Sequence, residues 1–181
     1  MYQDVVIAGF GGQGVIFAGK LLSMAGVRQE REVVYYPAYG AEMRGGTAHC
    51  TVIVSDRMIP SPIISHPASC IVMSLPAMDK FVPRLKDGGL AVVNTSLVPA
   101  DGPRGGITVF GIPANNIAEE QGSNKAANMV ILGAWAYLSN AVSLDNLVVS
   151  VAELLPPSKK AFLEINERSL REGWSFAAST H

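Results

Sequence analysis

Charged side chains are scarce in this chain. Asp, Glu, Lys and Arg make up 16% of its 181 residues, against about 25% in an average globular domain. The formal net charge is −1 and the sequence has no dense run of Lys or Arg. Because nucleic-acid binding depends on basic residues that neutralise phosphates, we expect no nucleic-acid partner. A surface with so little charge favours a chain that is covered in part by other subunits, or by further copies of itself when isolated.

Cysteine is almost absent, and histidine is rare. Cys50 and Cys70 cannot supply the four ligands of an iron–sulfur cluster or a structural zinc site. They are predicted to be small core residues on strands, in a reducing compartment. His49, His66 and His181 do not have the spacing of metal ligands. We therefore expect no metal site on this chain.

Targeting signals and long apolar runs are also lacking. The N-terminus has neither the basic start nor the cleavage site of a signal peptide. The longest apolar stretch, near Met129–Leu138, has about half the length that a bilayer requires. The sequence therefore predicts a cytoplasmic protein without membrane contact.

The opening of the chain has the pattern of a Rossmann-like α/β fold. Val5–Ala8 is predicted to be a buried strand, Val15–Val27 a helix with apolar residues at helical spacing, and Val33–Tyr36 a second strand. This order favours parallel strands joined by a right-handed crossover. Since no repeat or long linker interrupts the sequence, residues 1–181 are expected to form one domain.

An antiparallel hairpin is predicted next, in which His49–Val54 and Met58–Ile64 flank a polar turn. Pro60 and Pro62 would restrict its second arm to an edge or irregular strand. The other predicted strands are Ser69–Met73, Leu90–Asn94 and Ile107–Ile112. The other predicted helices are Pro76–Leu85, Ala114–Glu120, Lys125–Leu138, Leu144–Leu155 with Ser143 as N-cap, and Lys159–Glu172 with Ser158 as N-cap and Gly173 as terminator. The predicted fold is a mostly parallel sheet with one antiparallel hairpin and C-terminal helices.

A glycine-rich loop joins the first strand to the first helix. Residues 9–14 have the pattern G-x-G-x-x-G, and the candidate ligand contacts are Gly9, Gly11, Gly12, Gln13 and Gly14. Glycines permit a tight turn and a close approach of the backbone to a ligand. The helix that follows presents unpaired amides and the positive end of its dipole. The loop is therefore predicted to bind an anionic, phosphate-bearing group, unless its glycines serve only strand-to-helix packing.

Two familiar nucleotide motifs fit this region poorly. An NAD site needs an acidic residue at the end of the second strand, whereas Glu30 and Glu32 precede that strand and Pro37 follows it. Gly14–Lys20 reads G-x-x-x-x-G-K, but Leu21 stands where a P-loop has Ser or Thr for magnesium. We interpret the second motif as a coincidence within an apolar helix.

A second glycine-containing loop follows the second strand. Arg44, Gly45 and Gly46 lie there together with Glu42. Since ligands bind at the carboxyl ends of strands in parallel sheets, this loop should lie beside the first one. Arg44 could pair with a phosphate in a bidentate, charge-assisted contact. The alternative is an ion pair between Glu42 and Arg44, which contributes little if it is exposed.

At these residues the chain resembles the gamma subunits of 2-oxoacid:ferredoxin oxidoreductases, most closely the 2-oxoglutarate branch. The resemblance extends to about Gly133, and a similar domain occurs in indolepyruvate oxidoreductase. The stretches that carry it are Gly9–Val15, Tyr39–Cys50, Val54–Asp56, Pro60–Ile63, Leu75–Phe81, Gly88–Ser96, Ile112–Ala114 and Asn128–Gly133.

The resemblance implies a subunit without catalytic residues of its own. In this family a 2-oxoacid is decarboxylated on thiamine diphosphate, the acyl group passes to coenzyme A, and electrons leave through iron–sulfur clusters to ferredoxin. Thiamine diphosphate belongs to the alpha and beta subunits, and the clusters belong to other subunits or domains, such as a ferredoxin-like delta subunit. The gamma chain would assist coenzyme A binding and assembly, and would be inactive when isolated.

Two other functions stay open from the sequence. The chain could be a free-standing oxidoreductase that binds NAD or FAD, although the acidic partner after Tyr36 is missing. It could also be a purely structural subunit whose loops form only interfaces. Tyr35, Tyr36 and Tyr39 would suit such an interface, or a core, equally well.

Overall fold

The computed structural model describes residues 1–38, 47–100 and 105–180. Within these ranges the chain forms six strands and six α-helices. The strands are β1 (Tyr2–Phe10), β2 (Glu32–Pro37), β3 (Thr47–Ser55), β4 (Ser69–Val72), β5 (Leu90–Asn94) and β6 (Thr108–Ile112). The helices are α1 (Val15–Arg28), α2 (Leu75–Phe81), α3 (Ala114–Glu120), α4 (Ala127–Ser139), α5 (Leu144–Leu154) and α6 (Leu163–Thr180). Short 3-10 turns occupy Val82–Arg84, Asn124–Ala126 and Pro157–Phe162.

One mixed sheet organises the chain, in the strand order β2-β3-β1-β4-β5-β6. The pairs β1–β4, β4–β5 and β5–β6 are parallel, whereas β3 is antiparallel to both of its neighbours, β1 and β2. The predicted α/β fold with a mostly parallel sheet is therefore confirmed. No helix among the described residues is long and apolar enough to span a bilayer.

Strand β1 lies inside the sheet and is buried on both faces. Its side chains alternate, as the two-residue period of a strand requires. Val5 and Ile7 pack in the core that contains α1, α4, α5 and α6, and Val6 and Ala8 pack in the smaller core under α2. This double burial explains why the strand is a short continuous apolar run.

Strands β1 and β2 run in the same direction, as the strand–helix–strand pattern predicted, but they are not neighbours. β3 is inserted between them and pairs with both. Cys50 on β3 and Cys70 on β4 are fully buried, which confirms the prediction that both are core residues on strands.

The predicted hairpin is wrong. Its first arm is part of β3, but no strand forms over Met58–Ile64. Both edges of β3 are already occupied by β1 and β2, so no edge is free for a second arm. Pro60 and Pro62 cannot donate to a ladder, and Met58 and Ile63 are largely exposed. The antiparallel pairing instead joins β3 to strands that precede it in the chain.

The helices agree with the sequence pattern except at the C-terminal end. Ser143 caps α5 as predicted, since its side chain accepts a hydrogen bond from the Asn146 amide. The last helix begins at Leu163 instead of Lys159, after a 3-10 turn, and continues past its predicted terminator, Gly173, to Thr180.

Gly173 is an internal contact point between α6 and α4. A Cβ atom on Gly173 would overlap the backbone carbonyl of Val130, and one on Gly133 would overlap the carbonyl of Leu170. The two helices therefore cross with their backbones in contact, which only glycine permits at these positions. The conformational cost of glycine within a helix is offset by this close packing.

A buried polar network fastens the amino ends of the central strands. The carboxylate of Asp4 accepts a hydrogen bond from the Ala68 amide at 2.6 Å, and the Ser69 hydroxyl donates to the Asp4 carbonyl at 2.7 Å. The indole N–H of Trp135 donates to the Ser69 hydroxyl at 2.9 Å. Burial raises the pKa of Asp4, and the hydrogen bond from the Ala68 amide and the positive charge of Lys86 oppose that rise.

Substitution of Gly173 by Ala should lower the free energy of unfolding by about 2 kcal/mol or more, because the added methyl group forces α6 away from Val130. Helix propensity alone predicts the opposite sign, a gain of about 1 kcal/mol. Chemical denaturation distinguishes the two. Ser175→Ala, at an exposed position of the same helix, is the control, and a Gly173→Ala chain that is as stable as the wild type would contradict the close crossing.

Substitution of Asp4 by Asn should change how stability depends on pH. A carboxyl whose pKa is higher in the folded than in the unfolded chain contributes stability that is present below its unfolded pKa and lost as pH rises through its folded pKa. Asn keeps an oxygen for the Ala68 amide but cannot ionise. The wild type should therefore lose stability relative to Asp4→Asn as pH rises from about 3 to 7. Denaturant unfolding of both chains at several pH values measures this change, and Asp87→Asn, in an exposed turn, is the control. A difference in the free energy of unfolding between the wild type and Asp4→Asn that stays constant with pH would refute the prediction.

Candidate functional site

The glycine loop forms a tight turn between β1 and α1. The Gln13 amide donates to the Phe10 carbonyl at 3.2 Å, which places Gly11 and Gly12 at the two central positions of the turn. Gly12 has φ 94° and Gly14 has φ 74°, conformations that favour glycine. Residues 10–12 are exposed. The loop is therefore an open turn with its backbone accessible to a ligand.

Helix α1 begins at this loop without a side-chain cap. Its N-cap residue is Gly14, which has no side chain that could accept a hydrogen bond from the first amides. The first turn of the helix contains no acidic residue either. The Ala18 amide donates to the Gly14 carbonyl at 2.9 Å, so the amides of Val15, Ile16 and Phe17 precede the first intrahelical bond. Unpaired amides and the positive end of the helix dipole are the features that bind anions at helix N-termini.

The side chain of Gln13 braces the loop against the sheet. Its Oε1 accepts from the Phe10 amide at 2.6 Å, and its Nε2 donates to the carbonyl of Met73, which follows β4, at 2.9 Å. A Cβ atom on Gly9 would overlap Gln13 Oε1, so Gly9 leaves the space that the brace occupies. In the structure Gln13 positions the loop, and its carboxamide already bonds to protein groups at both of its ends.

Asn128 holds the other end of the loop, and it was not among the predicted site residues. Its Nδ2 donates to the Gly14 carbonyl at 3.1 Å from the first turn of α4. A Cβ atom on Gly14 would overlap the Asn128 carboxamide. The only signal in the sequence was that Asn128 opens one of the stretches of the family resemblance.

The second loop begins and ends beside the first. In the register of the sheet Phe10 is the partner of Thr47, where β3 begins, and the Ala38 amide donates to the His49 carbonyl at 3.0 Å. The predicted contacts Arg44, Gly45 and Gly46 lie outside the described residues. Glu32 is at the opposite end of β2, paired with Ser55, and so is far from the end of the strand where an NAD ribose would bind.

The two cysteines do not form a reactive or metal-binding pair. Burial raises the pKa of the Cys50 thiol to about 12, against a smaller opposing effect of the Gly19 backbone, and burial raises that of Cys70 to about 12 as well. Both are therefore neutral thiols at physiological pH. Across the described ranges, no three His, Cys, Asp or Glu side chains are grouped so that they could hold a metal ion.

A family model described as pyruvate ferredoxin/flavodoxin oxidoreductase matches residues 4–176. The chain belongs to this family. The resemblance seen in the loops is confirmed, and the match continues well past Gly133 into α6. The glycine loop, its two braces and the uncapped start of α1 all lie within the residues that the family model matches.

Relatives within the family differ in length. The chain is 33% identical over 180 residues to the 2-oxoglutarate synthase subunit KorC of Methanocaldococcus jannaschii. This match covers 98% of this chain and 95% of the relative. It is 33% identical over 173 residues to the ketoisovalerate oxidoreductase subunit VorA of Methanothermobacter thermautotrophicus. That match covers 96% of this chain but 36% of the relative, so the chain spans about a third of VorA.

Two solved structures have the same fold as this family domain. One is the gamma subunit of a keto/oxoacid ferredoxin oxidoreductase from Geobacter sulfurreducens, with TM-score 0.84, 29% identity and coverage of 98% of this chain and 99% of that chain. The other is a 2-oxoglutarate:ferredoxin oxidoreductase from Magnetococcus marinus, with 2-oxoglutarate, coenzyme A and succinyl-CoA bound. Its TM-score is 0.88 at 24% identity, over 99% of this chain and 32% of that chain, which is a likeness of fold.

Substitution of Gln13 should loosen the glycine loop. Gln13→Ala removes the partners of the Phe10 amide and the Met73 carbonyl, and should lower the free energy of unfolding by about 1–3 kcal/mol. Gln13→Glu keeps the acceptor for Phe10 but, once ionised, cannot donate to Met73. The free energy of unfolding of Gln13→Glu should therefore fall further below that of the wild type as pH rises above about 4.3.

Denaturant unfolding of both variants at pH 4 and pH 7 measures the effect of the brace. Gln121→Ala, whose side chain makes no hydrogen bond among the described residues, is the matched control. If Gln13→Ala is as stable as this control, Gln13 does not brace the loop.

Proposed function

We propose that this chain is the gamma subunit of a thiamine-diphosphate-dependent 2-oxoacid:ferredoxin oxidoreductase, and that its glycine loop binds a phosphate of coenzyme A. The uncapped N-terminus of α1, which follows the exposed residues 10–12, is the observation that carries the second part. Coenzyme A has three phosphoryl groups, and the Magnetococcus marinus enzyme was solved with coenzyme A bound.

The 2-oxoglutarate branch fits the relatives best. KorC of Methanocaldococcus jannaschii matches over almost its full length, whereas the VorA match covers a part of a longer protein. The substrate itself would be bound elsewhere, because the described residues supply a turn, amides and two bracing carboxamides rather than a constellation of catalytic acids and bases.

The redox and thiamine chemistry would be performed by partner subunits. Cys50 and Cys70, the only cysteines of the chain, lie in the core as neutral thiols, so they do not fit the thiolate ligand set of an iron–sulfur cluster. Alpha and beta subunits would hold thiamine diphosphate, and a ferredoxin-like delta subunit would carry clusters. The isolated chain would then be inactive and would expose surfaces that its partners cover.

The amides of residues 15–17 would hold a phosphate in place, and the dipole of α1 would stabilise its negative charge. When coenzyme A is bound, its thiol supplies the acceptor for the acyl group. Gln13 and Asn128 would fix the geometry of the loop, and Arg44 would add a counter-charge. No proton is moved by these groups, because neither carboxamide is an acid or base at physiological pH.

A carboxylate placed in the loop should repel the coenzyme without unfolding the chain. A side chain at Gly12 would meet no atom within 4 Å. Gly12→Asp and Gly12→Asn impose the same left-handed backbone on a similar side chain, but only Asp is charged. In the assembled complex Gly12→Asp should raise the KM for coenzyme A about tenfold over Gly12→Asn, with an unchanged KM for the 2-oxoacid.

Steady-state rates of ferredoxin reduction, with alpha and beta subunits co-expressed, measure both constants. Equal KM values for coenzyme A in the two variants would show that the glycine loop does not bind a phosphate of the coenzyme. Complexes that fail to assemble with the wild-type chain would contradict the assignment as a gamma subunit. The same assay tests Arg44→Ala against Arg57→Ala, an exposed arginine beyond the end of β3, and an unchanged KM for Arg44→Ala would exclude its role.

A purely structural subunit is the second candidate, and it would require protein groups that cover the glycine loop. Gly11 and Gly12 are exposed within the described residues. The chain itself therefore leaves room for an anion at the loop, which disfavours this candidate. The free-standing NAD enzyme is less well supported, because Glu32 is at the wrong end of its strand. Calorimetric titration of the isolated chain with NADH tests it, and saturable micromolar binding that Gly12→Asp weakens and Lys20→Gln leaves unchanged would favour it over the proposal.

A further inference from the structure

A cleft of about 470 Å³ opens among the helices next to the glycine loop. It lies between the starts of α1, α4 and α6, the end of α5 and the 3-10 turns at Asn124–Ala126 and Pro157–Phe162. Its volume is in the range of small-molecule sites, which are mostly apolar with a few polar groups. We call it the lysine cleft, after Lys20, Lys125 and Lys159 in its wall.

The charge of the lysine cleft is of one sign. Three of the six lysines in the sequence line it, and no Asp or Glu does. None of Lys20, Lys125 and Lys159 forms an ion pair with another described residue. In a chain of net charge −1, such a concentration of unpaired positive charge around a concave site attracts anions.

The rest of the lysine cleft is largely apolar and contains two aromatic rings. Phe17, Leu154, Leu155, Phe162 and Ile165 contribute to its wall, and Phe162 is 45% exposed. Its two asparagines donate to backbone carbonyls, Asn128 to Gly14 and Asn166 to Phe162. The lysines are therefore the charged groups available to a ligand, and the apolar wall would receive an uncharged ring.

The lysine cleft adjoins the glycine loop at Gly14, which belongs to both. Lys20 lies on α1 less than two turns beyond this residue. It is the lysine of the segment Gly14–Lys20, which resembles a P-loop in sequence but lies on a helix. The structure gives this lysine a position at the cleft that the motif did not predict.

We propose that the lysine cleft binds an organic phosphate with an aromatic body, the chemistry of a nucleotide. Lys20, Lys125 and Lys159 would neutralise its phosphate groups, and the apolar wall would cover its ring. The binding site does not depend on the assembled complex; only its assignment to the nucleotide end of coenzyme A rests on the proposed function. A free nucleotide has the same chemistry and is the other source.

Titration calorimetry of the full-length chain with adenosine 3′,5′-bisphosphate tests the site. Lys20→Gln, Lys125→Gln and Lys159→Gln should each weaken binding about fivefold to tenfold, because each removes a charge-assisted contact. Lys86→Gln is the matched control and should bind like the wild type, because Lys86 is exposed, follows Leu85 of the core under α2 and is not in the wall of the cleft. Raised salt should weaken binding by the wild type more than binding by the variants.

Thermal unfolding of each variant verifies that the fold is retained, and all three lysines are exposed. Wild-type binding that is unaffected by all three substitutions, or no saturable binding by a folded wild type, would overturn the proposal. Adenosine without phosphate should bind at least tenfold more weakly, and equal affinity would also overturn it.

Competition identifies the source of the ligand. If coenzyme A displaces the bisphosphate and the lysine substitutions weaken both, the nucleotide end of the coenzyme occupies the cleft. If both bind together and only the bisphosphate is sensitive to the lysines, the cleft binds a separate nucleotide. Loss of the Gly12→Asp effect in the complex would contradict the glycine-loop proposal alone, whereas lysine-independent binding would contradict the lysine cleft alone.

Discussion

Strand β1 positions the glycine loop through its pairing with β3 and β4. The strand is buried on both faces and paired on both edges, antiparallel to β3 and parallel to β4. Its carboxyl end therefore meets the start of β3 and the end of β4 at a single edge of the sheet. The glycine loop, the flanks of the second loop and the Met73 carbonyl are brought together there by backbone pairing alone.

The side chains of Gln13 and Asn128 fix the geometry of the glycine loop at this edge. Gln13 fixes the loop to the sheet and Asn128 fixes it to α4, while glycine at positions 9 and 14 leaves room for both carboxamides. The amides at the start of α1 are then presented without a side-chain cap. We propose that this surface binds and orients an anion, in a subunit that serves a reaction on neighbouring chains.

The sequence predicted local features well and non-local ones poorly. The bounds of α3 and β5, and the Ser143 cap, follow from spacing and capping within a few residues, and the structure has them as predicted. The hairpin failed because β3 pairs with strands that precede it in the chain. Gly173 was read as a helix terminator because its contact with Val130 is visible only once α4 and α6 are packed.

In the candidate site, too, the local features could be predicted from the sequence and the non-local contacts could not. The turn and the helix start could be predicted, because a glycine pattern between a strand and a helix has a local cause. The two braces could not, since Gln13 and Met73 are 60 residues apart and Asn128 and Gly14 are 114 apart. The lysine cleft is built from α1, α4, α5, α6 and two turns, so its three lysines are far apart in the sequence and converge only in the fold.

An experimental structure of the assembled complex with coenzyme A bound would test most directly whether the glycine loop binds the coenzyme. We expect phosphate oxygens within hydrogen-bonding distance of the amides of residues 15–17, with the carboxamides of Gln13 and Asn128 still bonded to the loop. A structure in which a partner segment covers Gly11 and Gly12, and every phosphate of the coenzyme lies away from the start of α1, would contradict it.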